Sequence, residues 1–371
     1  MAFLTFCQMA CTSFPEYPVA ADFLGERIET TVDSPAAQYY LNEYLQGNRK
    51  EPELDRKITR LYSNNTKSVP DRNDLLLIAQ QYSNDFAALY FADRLYAEPE
   101  NSRLERAFNK NLNLSEKELF EPPEGYEQYS VLMVPGWNYL NNGKITGSDL
   151  EVPREYISRL GVDNYLVNVP ATRGLHQSVP IIRQAIEKFS KNHRKIIIVG
   201  ASSAAPSIHY TLGHEMAAEQ LDSVVAWINL GGIIHGSPLI DYFQEWPQKL
   251  VFNTVSFLRG WDRDEILTMS AEQSRKRVPQ LTLPAHLKVI NYIGLSLTGD
   301  LSQHARYKYP YLADQGPNDG LTLLADIVVP NSLSLVAARS DHYFQGDPLI
   351  EEKTIAILKL LIESIEKGGG F

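Results

Sequence analysis

The stretch KIIIVGASSAAPSIHYTL, residues 195–212, decides how the rest of the chain is read. Ile196, Ile197, Ile198 and Val199 form an unbroken β-branched run, the pattern of a strand buried on both faces. The run ends in five small residues, Gly200-Ala201-Ser202-Ser203-Ala204, and a helical pattern follows. A strand that passes into a helix through so short a connection needs small side chains where the two elements approach. With the turn centred on Ser202, Gly200 and Ala204 hold those positions, and Gly200 is expected to supply positive-φ freedom. Centred on Ser203, the same positions fall to Ala201 and Ala205. The plainer alternative is a small-residue helix start packed on a strand, with a serine as its cap.

Working outward, short apolar runs alternate with helical patterns. SVLMV near 130, YLVNV near 165, SVVAWINL near 223, LKVINYIGL near 287 and LSLVAA near 333 read as further strands. Helical candidates such as PREYISRLG, SVPIIRQAIEKFSKN and IEEKTIAILKLLIESIEK lie between or after them. This alternation predicts βαβ units and a mostly parallel sheet, an α/β fold. The segment from about 236 to 284 is too long for a plain connection and carries Leu239, Tyr242, Phe243, Trp246, Phe252, Phe257, Leu258 and Trp261, so it is a candidate lid or cap.

Residues from about 34 to 115 read differently, as helices. Ser34 before Pro35 is a cap with proline at the first helical position, and PELDRKITRLY predicts a second helix. From about 71 to 97 an apolar stripe of Leu76, Ile78, Tyr82, Phe86, Leu89, Tyr90 and Leu95 predicts a third. Pro122, Pro123 and Gly125 mark a hinge. The expected organisation is an N-terminal helical region over 1–120, a cap or interaction module, and an α/β domain over 121–371 with the 236–284 insertion.

The strand-turn-helix around Ser202 resembles the nucleophile elbow of the α/β-hydrolase family, whose usual pattern is G-x-S-x-G; Ala204 replaces the second glycine. The resemblance covers about 130–365 and implies the α/β-hydrolase fold, a mostly parallel sheet with flanking helices. It implies Ser202 as nucleophile in preference to Ser203, with the N–H of Ser203 as an oxyanion donor. A serine hydroxyl needs an imidazole to take its proton, and the imidazole needs a carboxylate to fix its tautomer. The family's chain order is serine, acid, histidine. His342, in SLSLVAARSDHYFQGD, follows the last expected strand, where the family keeps its base. For the acid, Asp319 in GPNDGLTLLADIVVP resembles the acid segment of several bacterial lipases, and Asp300 in LTGD is the rival because it follows the fifth strand more directly. Asp341 adjoins His342, but neighbouring side chains in an extended loop diverge. Pro135-Gly136-Trp137 ends the first strand where related lipases carry His-Gly-X, which implies the Trp137 N–H as the second oxyanion donor.

The function implied is cleavage of a small-molecule or lipid-like carboxylic ester through an acyl-enzyme, as a lipase or carboxylesterase, with thioesterase and amidase activities behind it. The rival is a non-catalytic binding or scaffold protein that keeps the fold. A dinucleotide-binding fold is disfavoured because Gly231, Gly232 and Gly236 lack the G-x-G-x-x-G spacing. A net charge of -10 with no basic run argues against nucleic acid as a partner. An apolar fraction of 44% with 10% aromatic residues predicts a folded chain. No apolar stretch is long enough to predict a membrane-spanning helix, and no histidine spacing predicts a metal or other cofactor. Cys7 and Cys11 lie outside the expected core. The opening MAFLTFCQMACTSF lacks a basic segment, which leaves export or envelope association and a frayed cytoplasmic start both open.

Overall fold

A computed structural model of the chain describes residues 14–64, 69–192, 194–344 and 347–368, so Cys7 and Cys11 fall outside the described residues. β1 (Tyr17–Phe23) and β2 (Glu26–Val32) form an antiparallel hairpin. The six apolar runs become β3 (Tyr129–Val134), β4 (Asp163–Leu166), β5 (Lys195–Ala201), β6 (Val224–Leu230), β7 (Lys288–Leu295) and β8 (Leu333–Ala338). They make one parallel sheet in the order β4-β3-β5-β6-β7-β8. Every residue of β5 after Lys195 is buried, which is why its sequence is continuous rather than alternating.

Helices cover both faces. On one, Met133, Val199, Ile228 and Tyr292 pack with the helices Pro99–Leu112, Glu151–Arg159 and Ile350–Glu366. On the other, Val134, Ile198 and Trp227 pack with the helices Leu175–Ser190 and Ala204–Tyr210. Toward β7 and β8 this second face is covered by the N-terminal residues, whose Ile58, Phe86, Phe91 and Leu95 share a core with Ile293, Leu295, Val336 and Ala338.

The local chemistry of the N-terminal segment explains both its agreements with the sequence and its departures. Ser34 caps the helix Pro35–Tyr39 by accepting the Ala37 N–H at 3.0 Å. The single stripe read over 71–97 is two helices, Arg72–Gln81 and Asn84–Ala97. Ser83 breaks them apart in an extended conformation, and its hydroxyl accepts the Phe86 N–H at 3.2 Å to start the second. The helical reading does not include the hairpin. Its signal is the alternation of buried Val19, Ala21 and Phe23 in β1, closed by Leu24-Gly25 with φ of 55° and 79°, a pair of left-handed residues that matches the twist of a two-residue hairpin turn.

The N-terminal segment also protects an exposed sheet edge. On β8, the Ser334 N–H donates to Asn101 Oδ1 at 2.9 Å and the Val336 N–H to the Tyr96 hydroxyl at 2.8 Å. Buried Asp85 ties the segment to the loop after β7, accepting the Asp33 N–H at 2.7 Å and both the N–H and hydroxyl of Thr298 at 3.1 and 2.7 Å. Burial, aided by the charge of Asp33, holds the Asp85 carboxyl well above the usual carboxylate range.

Removing either edge cap strands a buried strand donor. Tyr96→Phe and Asn101→Ala are each expected to lower the unfolding free energy by about 1–3 kcal/mol, read from urea denaturation with an unchanged slope. Midpoints indistinguishable from wild type in both variants would contradict the edge-capping role.

Candidate active site

β5 delivers Ser202 at its carboxyl end, and Ser202 alone takes the strain of the turn, with φ of 52°. The positive-φ freedom expected at Gly200 is therefore needed two residues on, at the serine. At Gly200 the constraint is space instead: a Cβ there would overlap Ile208 Cδ1 on the following helix, and that methyl group would have to shift. The Ala204 Cβ stands 3.6 Å from the same point, an ordinary contact, so a methyl group fits where the usual motif carries glycine. Ser202 is pinned by its backbone: its N–H donates to Leu230 O at 2.9 Å, and its carbonyl accepts the Ala205 and Ile233 N–H groups at 3.1 and 3.3 Å.

His342 reaches this turn from the loop after β8. The Ser202 hydroxyl lies 2.8 Å from His342 Nε2, and His342 Nδ1 lies 2.8 Å from Asp319 Oδ2. Both the imidazole and the carboxylate are buried. Asp319 Oδ1 accepts the Leu321 and Thr322 N–H groups at 2.9 and 2.8 Å, and the Asp319 carbonyl accepts the His342 N–H at 3.0 Å. One oxygen is thus saturated by the turn and the other faces the ring. An ionised carboxylate only accepts, so Nδ1 carries the proton and Nε2 is left as the acceptor for the serine O–H.

The competing residues lie elsewhere. The Ser203 hydroxyl is buried, with no partner among the described residues. Asp300 faces Arg339 at 3.8 Å, and burial raises its pKa. Asp341 accepts the Ser302 and Tyr343 N–H groups at 2.8 and 2.9 Å and so props up the loop that carries His342.

No family model matches the chain, and no curated protein matches it. Among solved structures, a metagenomic carboxyl esterase superposes with a TM-score of 0.53 at 18% identity, over 67% of this chain and 78% of its own. Bacillus licheniformis lipase BlEst2 in its propeptide form gives 0.50 at 19% identity, over 62% of this chain and 50% of its own. This chain has the α/β-hydrolase fold.

In this α/β-hydrolase fold the loop after β3 lies against the elbow. A Cβ on Gly136 would stand 3.6 Å from Ser202 Cβ. The Gly136 N–H donates to Ser148 O at 2.7 Å and the Asn138 N–H to Ala171 O at 2.6 Å. The donor between them, the Trp137 N–H, has no acceptor among the described residues, and neither has the Ser203 N–H. A residue that sequence reasoning missed sets the loop's path. Buried Arg173 donates to the carbonyls of Pro135 and Gly136, the latter at 3.0 Å, and burial pulls its guanidinium down to about 10. Nothing in the local pattern VPATRGLHQ distinguishes it from a surface arginine.

Ser202 and His342 open into a cavity of about 620 Å³. On one side it runs between the sheet residues Met133, Val199 and Ile228 and the helix residues Ile157, Ile357 and Leu358. On the other it is roofed by Phe252, Trp261 and Met269 from the 236–284 segment. Trp137 meets Trp261 edge-on, with centroids 5.8 Å apart. The helix Gln248–Arg259 that supplies Phe252 turns Leu250, Val251, Phe257 and Leu258 outward to solvent. Among the described residues no group of His, Cys, Asp or Glu side chains could hold a metal ion, and no helix is long and apolar enough to cross a membrane.

His209, on the elbow helix, is buried behind the turn, and desolvation lowers its pKa from 6.5 to about 4. Between those values the unfolded chain binds the proton and the folded chain does not, so the contribution is complete above about 6.5 and lost as pH falls toward 4. We expect the His209 ring resonances to titrate with a midpoint of about 4 by NMR. A midpoint at the ordinary 6.5 would contradict its burial.

Proposed function

We propose that this chain is a serine hydrolase that cleaves carboxylic esters of apolar acyl groups, with Ser202 as nucleophile, His342 as base and Asp319 as the orienting acid. The observation that carries this reading is the continuous pair of 2.8 Å contacts from Ser202 Oγ through the His342 ring to Asp319, opening on an apolar cavity. As Ser202 Oγ bonds to the acyl carbon, His342 Nε2 takes the hydroxyl proton and Asp319 stabilises the imidazolium. The N–H groups of Trp137 and Ser203 receive the carbonyl oxygen as it gains charge, each contributing about 3 kcal/mol to the transition state. Collapse breaks the ester C–O bond, and the imidazolium returns its proton to the departing alcohol. Water, deprotonated by the same imidazole, then attacks the acyl-enzyme and releases the acid and free Ser202. Arg173 acts one step removed, positioning the Trp137 loop through two carbonyls.

Apolar walls on both sides of Ser202 favour esters with a hydrocarbon acyl chain, and the outward apolar side chains of Gln248–Arg259 suit a lipid-like substrate. Thioesters and amides stand behind esters. A scaffold that keeps the fold would leave the serine unreactive toward phosphonylating reagents.

A fluorophosphonate probe is expected to label the wild-type chain and to fail on Ser202→Ala. Ser202→Ala and His342→Ala are each expected to lower kcat on a nitrophenyl ester by about 10⁴ or more, with circular dichroism unchanged. Turnover close to wild type in either variant contradicts the assignment. Across nitrophenyl esters of rising chain length, kcat/KM should climb by up to roughly fourfold per methylene while the chain still finds apolar wall. A maximum at acetate would remove the apolar-acyl part of the proposal.

A further inference from the structure

The chain carries 45 acidic and 35 basic residues, yet no aspartate or glutamate lines the cavity among the described residues. Its charged wall consists of lysines, Lys144, Lys308 and Lys353, beside the imidazole of His304. They differ in how they are satisfied. Lys353 is buried and locked between Glu26 and Asp347 at 2.8 Å each. Lys144 stands exposed on the helix Tyr139–Thr146. Lys308 is half-buried and forms no ion pair among the described residues; its ammonium donates to the Tyr343 hydroxyl and lies 4.8 Å from that ring's centroid. The nearby carboxylates are committed elsewhere, Asp319 to His342 and two N–H groups, Asp341 to the N–H groups of Ser302 and Tyr343. A half-buried ammonium whose hydrogen-bond partner is neutral loses more to desolvation than the charges of Asp319 and Asp341 return to it.

Its place decides what it would meet. Tyr343 follows His342 in the chain, and their rings touch edge-on with centroids 5.4 Å apart. On the hydrolase reading, His342 hands its proton to the departing alcohol, so the alcohol must lie beside His342 and within the field of Lys308. We infer that Lys308 is a specificity residue for esters whose alcohol portion carries an anionic group, a carboxylate or a phosphate, while the hydrocarbon acyl chain occupies the apolar wall. The inference rests on the serine-hydrolase reading above. A lysine ammonium is a point charge without the planar fork of arginine, so both anions satisfy it.

The test compares three hexanoyl esters: 4-hexanoyloxybenzoate, 4-hexanoyloxyphenyl phosphate and the neutral methyl 4-hexanoyloxybenzoate. The readout is the kcat/KM of each anionic ester divided by that of the neutral one. For at least one anion this ratio is expected to fall by about tenfold or more from wild type to Lys308→Met, as loss of a charge-assisted contact implies, and to be largely kept in Lys308→Arg. The anion with the larger fall identifies the favoured group. If Lys308 only supports the loop that carries His342, Lys308→Met slows all three esters alike and the ratios hold, which overturns the inference while leaving the hydrolase reading intact. If none of the esters is cleaved and fluorophosphonate does not label Ser202, that reading fails and this inference falls with it.

Discussion

One serine held in a left-handed conformation organises the contacts at the carboxyl end of the sheet. Ser202 adopts a φ that L residues avoid, at a cost of about 1–3 kcal/mol. It is kept there because β5 and the helix Ala204–Tyr210 are both buried and must join within two residues. The strain lifts the hydroxyl out of the sheet at the carboxyl end of the strand and toward His342. The same turn requires Gly200 to yield its side-chain volume to Ile208 and leaves the Ser203 N–H with no acceptor among the described residues. A hydroxyl presented to His342, a donor without an acceptor among the described residues and an approach for the Trp137 loop all derive from one compressed connection.

The partner residues are positioned by different physics. Asp319 is oriented by a turn that spends two backbone donors on one carboxylate oxygen, so the other oxygen has a single direction in which to accept. His342 is fixed by that oxygen and by its own N–H on the Asp319 carbonyl. The Trp137 loop depends on a cation buried beneath it, and Arg173 satisfies two carbonyls that no neighbouring strand could reach. Preorganisation is therefore distributed over three loops and a single strained residue, each held mainly by main-chain hydrogen bonds.

What the sequence discloses follows from the range of the interactions that encode it. The sheet was legible because buried parallel strands are continuous apolar runs, and the positions of Ser202 and His342 were legible because each follows such a run. The choice between Asp319 and Asp300 rested on resemblance alone, since only the fold reveals that Asp300 faces Arg339. The hairpin Tyr17–Val32 went unread because its alternation is short and its second strand carries Thr30 and Thr31 in place of apolar residues. The break at Ser83 is a cap whose apolar flanks mimic one continuous stripe. Arg173 is invisible locally, as its role exists only once β3 and the loop before the helix Leu175–Ser190 are brought together. The sequence suggests backbone freedom as the reason for Gly200, whereas the contact it meets in the fold is with the Ile208 side chain.

The capped edge of β8 has a consequence for how this polypeptide is made. Asn101 and Tyr96 find their strand partners 233 and 240 positions later, Asp85 meets Thr298 after 213, and Asn111 meets Ala356 after 245. The first hundred residues leave the ribosome long before the strands that they cover exist. Those of their apolar side chains that pack on β7 and β8 have no partner there until those strands have emerged. Closure of loops this long is slow. The edge that is safest in the finished protein is thus the one whose partners are exposed longest during synthesis.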